Sequence, residues 1–111
     1  MSDPLNPGLY IVATPIGNLS DLTPRAADTL ARADLLAVED SRVTAKLLNH
    51  LGIKRPMIAY HDHNADRLRP ELVARMASEA IALVCDAGTP LISDPGFKLV
   101  RDARAAGRSV I

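Results

Sequence analysis

A single cysteine, Cys85, rules out an intrachain disulfide and a thiolate zinc cluster. Set in an apolar run, it reads as a small core residue in a reducing cytoplasm, which is the compartment expected for this chain. An excess of charge is also missing: thirteen Lys and Arg balance thirteen Asp and Glu, so no overall field draws the protein to nucleic acid or to a membrane surface. Local patches stay open to such partners. No apolar run approaches the roughly 20 residues of a membrane helix. The opening MSDPLNPG is polar and proline-rich, which reads as a flexible tail over residues 1–8 and not as a secretory signal. Two phosphate-binding fingerprints are absent as well, the dinucleotide GxGxxG and the cradle GxxxxGK(S/T).

What is present suits a folded domain. At 111 residues, with 48% apolar and 23% charged positions, the chain can bury one core. Short, nearly continuous apolar runs stand at residues 9–13, 35–38, 57–60 and 80–84, as expected of strands covered on both faces, and a fifth begins at the final SVI. Helical patterns separate them. Thr23 can cap a helix opened by Pro24, with Ala27 and Leu30 inward. Ser41 can cap a second, with Val43, Leu47 and Leu51 inward and Gly52 as its stop. Asn64 opens a third with Leu68, Leu72, Val73, Met76 and Ala77 inward, in which Pro70 should bend the helix or delay its start. Asp94 and Pro95 start a fourth that turns Leu99, Val100 and Ala103 inward and ends at Gly107. This alternation predicts an α/β, doubly wound, mainly parallel sheet of five strands, with right-handed crossovers and helices on both faces. Ligands of such sheets bind beyond the carboxyl ends of the strands.

Four loops lie at those ends. In ATPIGNLSD, Pro15 stiffens the exit and Gly17 allows a tight turn, yet read alone the loop is a plain connection. EDSR sets Glu39, Asp40 and Arg42 together. One carboxylate could accept a proton while the guanidinium grips a phosphate, or Asp40 or Ser41 simply caps the helix while Arg42 pairs with an acid. The basic residues Arg42, Lys46, Lys54 and Arg55 could follow a phosphate backbone or form a solvated helix face. His61, Asp62 and His63 suggest a metal, but the pattern HxHxDH fails at Ala65 and Asp66, so no metal is expected. The fourth loop, CDAGTPLISDPG, carries most information: helix capping explains Asp94 and Pro95, whereas Asp86, Gly88, Thr89 and Pro90 point to a ligand.

Taken in order, ATPIGNL, EDSR, YHDHN and DAGTPLISDPG resemble the tetrapyrrole methylase superfamily, and within it the branch that methylates RNA. The resemblance runs from Leu9 to Ile111. It implies strand order 3-2-4-1-5, S-adenosylmethionine (S-adenosyl-L-methionine) as methyl donor, and a cleft between two unlike domains. On that basis Pro15, Gly17, Asp86, Gly88, Thr89, Pro90 and Ile92 are assigned to the cofactor. Asp40 or His61 would accept the proton of a cytidine ribose 2′-hydroxyl in the 16S rRNA of the small ribosomal subunit, and Arg42, His63 and Asn64 would hold RNA. The full-length form would be a homodimer without membrane contact. Thr89 stands where tetrapyrrole-modifying relatives carry an acid. Cys85, Ser41 and Phe97 replace Ser, Thr and Tyr. Such proteins continue into a second domain, so residues 9–111 read as an amino-terminal domain of a two-domain methylase, inactive alone. Two rivals are a sibling methylase acting on a tetrapyrrole or diphthine precursor and a phosphate-switched receiver.

Overall fold

The computed structural model describes residues 4–15, 21–86 and 94–111. Its elements alternate as β1 (Gly8–Thr14), α1 (Pro24–Arg32), β2 (Leu35–Val38), α2 (Ser41–Leu51), β3 (Met57–Ala59), α3 (Ala65–Arg75), β4 (Ala80–Asp86) and α4 (Asp94–Ala105). The sheet has the order β1-β4-β2-β3 and all its pairings are parallel. The expected fifth strand is reduced to one parallel bridge, Val110 with Leu9, which lies on the free side of β1. A receiver would instead follow the order 2-1-3-4-5. The observed order excludes that rival.

Successive strand residues point to opposite faces, so a strand covered on both sides must be apolar throughout. All four residues of β2 are buried for this reason. Leu9, Leu35, Ala37, Ile81 and Leu83 pack with Leu68, Leu72, Leu99 and Ala103 of α3 and α4. Val12, Leu36, Val38 and Ala82 pack with Ala26, Leu30, Leu47 and Leu48 of α1 and α2 on the other face.

The helix ends follow local chemistry, and several details of the helices depart from the sequence reading. Thr23 caps α1, its hydroxyl accepting from the Ala26 N–H at 3.1 Å, but Ala26 is the buried alanine and Ala27 is only partly covered. Asp40, not Ser41, caps α2 because its carboxylate reaches the Arg42 N–H at 3.0 Å; the helix stops at Gly52, whose φ of 70° is left-handed. Its buried stripe is Thr44, Leu47 and Leu48, which turns Val43 outward to 61% exposure. The helix α3 runs through Pro70 without delay, and Ala77 lies beyond its end on the surface. The amide that Pro70 lacks would have met the Asp66 carbonyl in the exposed first turn, where water can serve instead.

Candidate functional site

The carboxyl ends of β1 and β4 are neighbours: Ala13 pairs with Cys85 and Thr14 with Asp86. The Thr14 hydroxyl, almost buried, donates to the Cys85 carbonyl at 3.2 Å and ties the two exits together. Gly17, Gly88, Thr89, Pro90 and Ile92 lie outside the described residues, and Asp86 is the last residue of β4. Two assigned loops therefore leave from adjacent strand tips.

Beside those tips opens a cleft of about 1010 Å³, lined among others by Thr14, Pro15, Glu39, Asp40, Arg42 and His61. Val43, Lys46, Ala59 and Val84 add to its mixed apolar and polar wall. The structure thus brings Pro15, Asp40, Arg42 and His61 to one place. His63 and Asn64 stay outside the lining.

Asp40, Arg42, His61 and Asn64 already have local work. Asp40 accepts from the backbone and from Nε and Nη2 of Arg42, the last two at 3.4 Å. These hydrogen bonds hold the Asp40 carboxyl below its ordinary range. The Arg42 side chain is 89% exposed, so that pairing is weak and open to exchange. Glu39, the other carboxylate of EDSR, lines the same wall with no ion pair among the described residues. His61 Nδ1 accepts the His63 N–H at 3.3 Å, an arrangement that in the neutral imidazole leaves the proton on Nε2. The two imidazoles meet edge-on at 5.7 Å. Asn64 accepts the His61 N–H at 2.9 Å and donates to the Ala59 carbonyl at 2.8 Å, so its amide shapes the turn that presents both histidines.

Among the described residues no cluster of three or more His, Cys, Asp and Glu could hold a metal ion. No helix among them is long and apolar enough to cross a membrane. The basic residues divide instead of forming one track. Arg42 and Lys46 face the cleft, whereas Arg55, just ahead of β3, donates to the Ala31 carbonyl at 2.7 Å and closes the last turn of α1 at the amino-terminal end of the sheet. The lining fits an adenosyl sulfonium: Glu39 and Asp40 can accept from ribose hydroxyls or face a positive sulfur, and Ala59 and Val84 can cover apolar surface, while Arg42 and Lys46 can meet an anion.

Residues 8–110 match the family model of Tetrapyrrole (Corrin/Porphyrin) Methylases. The chain is 53% identical over 97% of its length to a ribosomal RNA small subunit methyltransferase I of Mesorhizobium japonicum. It is 59% identical over 89% of its length to the protein of that name from Xylella fastidiosa. In both cases it spans 37% of the relative's length. The fold matches a conserved hypothetical protein of Aeropyrum pernix K1 with TM-score 0.73 at 23% identity, covering 96% of this chain and 38% of that one. It also matches a uroporphyrin-III-C-methyltransferase of Thermus thermophilus with TM-score 0.71 at 18% identity, covering 96% and 46%.

Proposed function

The chain belongs to the tetrapyrrole methylase family, and from that premise we propose that its cleft is one wall of a methyl-transfer site acting on a cytidine ribose 2′-hydroxyl of small-subunit ribosomal RNA. The observation that carries this reading is the parallel pairing of β1 with β4 through Thr14 and Asp86, which sends two assigned loops off adjacent tips beside one cleft. S-adenosylmethionine is the methyl donor of the family and, when bound, supplies an already activated methyl group. The chain's own residues then have three tasks: to align, to exclude water and to take a proton.

Pro15, Gly17, Asp86, Gly88, Thr89, Pro90 and Ile92 hold the cofactor in this reading. Arg42, with Lys46 one turn along α2, meets RNA phosphate, and His63, in the turn after β3, holds phosphate or sugar. Asn64 serves RNA through the turn it builds. When Arg42 swings onto a phosphate, it gives up two long bonds to Asp40. Asp40 Oδ2 is then released to accept the ribose proton, while Oδ1 continues to cap α2. His61 is the alternative acceptor and would need its Nε2 tautomer reversed.

Support for the RNA branch comes from the names of relatives at 53% and 59% identity, against 18% for the tetrapyrrole enzyme. Deleting the gene and mapping ribose methylation of the 16S rRNA should remove one cytidine 2′-O-methyl group, restored by the intact gene. An unchanged map would defeat the reading. The isolated 111-residue chain should bind S-adenosylmethionine weakly and turn over nothing, and tight binding by calorimetry would contradict that.

A further inference from the structure

A guanidinium that the roles above do not use is bonded to Tyr60, the residue between the cleft-lining Ala59 and His61. Arg69 of α3 is only 9% exposed. Its Nε donates to Asp102 Oδ2 of α4 at 3.0 Å, its Nη2 donates to Asp66, and its Nη1 donates to the Tyr60 hydroxyl at 3.4 Å. Tyr60 follows β3 and is 3% exposed; its O–H donates to the Pro95 carbonyl at 2.6 Å. Burying a guanidinium is costly unless its donors are met, and apolar replacement of such a network often leaves a protein as stable or more so. Stability alone is therefore a poor account of it.

The network's geometry offers a better one. Pro95 lies in the first turn of α4, at the far end of the connection that leaves β4 at Asp86. The near end of that connection is held by the Thr14–Asp86 pairing and the Thr14 hydroxyl. We propose that Tyr60 and Arg69 are positioning residues for the cofactor cleft: by gripping the Pro95 carbonyl they fix the start of α4 against the end of β3, where Ala59 and His61, the residues on either side of Tyr60, line the cleft. This rests on reading the cleft as a cofactor site. Burial pushes the Tyr60 hydroxyl above its ordinary value, so it stays a donor, and the hydrogen bond from Arg69 to Tyr60 helps keep the guanidinium charged.

The test uses the longest open reading frame that carries this chain, with Tyr60→Phe as the conservative variant and Arg69→Met as the second. Losing one hydrogen bond should raise the Kd and KM for S-adenosylmethionine about fivefold while kcat changes little. Hydrogen exchange at the Lys98 and Leu99 amides, which close the first turn of α4, should quicken by a similar factor of about five. Arg69→Lys should not restore binding, because an ammonium lacks the planar fork that meets three partners. Arg75→Ala, which breaks the Arg75–Glu79 pair just ahead of the amino-terminal end of β4, serves as control: it should lower Tm and leave Kd unchanged. A Tyr60→Phe protein that loses Tm but keeps both Kd and exchange rates would overturn the proposal. If the unmodified protein binds no S-adenosylmethionine, the cleft reading fails on its own, and the exchange arm still decides whether Tyr60 holds α4.

Discussion

At the scale of the residue, Asp40 and Arg42 show how two neighbours can serve both fold and site. The Asp40 carboxylate caps α2 and at the same time holds Arg42 by two bonds of 3.4 Å. Replacing Asp40 with Asn keeps an acceptor at the cap, whereas Ala removes it. We expect Asp40→Ala to lower the urea midpoint and Asp40→Asn to leave it nearly unchanged, while both reduce methylation in the full-length protein. Full activity in D40N would exclude Asp40 as proton acceptor. Arg42 and Lys46 carry a separate expectation. Removing either cation from a phosphate should make the dependence of log affinity on log salt shallower by about 1, without changing sequence preference. Filter binding of 16S rRNA fragments by R42A and K46A over a salt series measures this, and unaltered slopes would exclude both residues from the RNA-binding surface.

At the scale of the element, α3 and α4 are joined by charge as well as by apolar packing. The Arg69 hydrogen bond holds the Asp66 carboxyl below the ordinary aspartate value of 3.8. Arg101 first, and then Arg69, do the same for Asp102. A carboxyl depressed in the folded state is protonated first in the unfolded chain, so its stabilising contribution is complete above 3.8 and is lost as pH falls from there through the lower folded value. Urea midpoints recorded against pH should therefore fall on that acidic limb, and the fall should be shallower in Arg69→Met, which removes a cause of both depressions. An identical acid limb in the variant would show that these pairs contribute nothing measurable, as exposed ion pairs often do. The pairing of Asp66 with Arg69 three residues later is legible on a helix. The Asp102 pairing spans 33 residues and is not.

At the scale of the whole molecule, the two ends of the chain close on each other. The Leu9 N–H donates to the Ser109 carbonyl at 2.8 Å, and the Ile111 N–H donates to the Leu9 carbonyl at 2.8 Å. Gly8, with φ of 145°, sits where a Cβ would stand 2.7 Å from the Ser109 carbonyl oxygen. Since backbone cannot yield as a long side chain does, Gly8→Ala should cost about 1–3 kcal/mol and release residues 108–111 from β1. Urea denaturation with hydrogen exchange at Ile111 checks both, and an unchanged midpoint would show that the terminus shifts freely.

The alternation of short apolar runs with capped helices determined a parallel sheet covered on both faces, because only strands buried twice over can be apolar at every position. Thr23, Gly52 and the loops at the strand ends were legible for the same local reason, and the four loop motifs together carried the resemblance that implied the family and its strand order. Tertiary structure decided what depends on which surfaces meet. On α2 the apolar positions Val43 and Leu47 outline one stripe and Leu47 and Leu48 another, and packing against the sheet chose the second. The basic residues from Arg42 to Arg55 look continuous along the chain, yet the helix between them carries Arg42 to the cleft and Arg55 to the other end of the sheet. The burial of Arg69 was likewise decided only when α4 brought Asp102 and the turn after β3 brought the Tyr60 hydroxyl to it, since the partners that make a buried guanidinium tolerable lie elsewhere in the sequence.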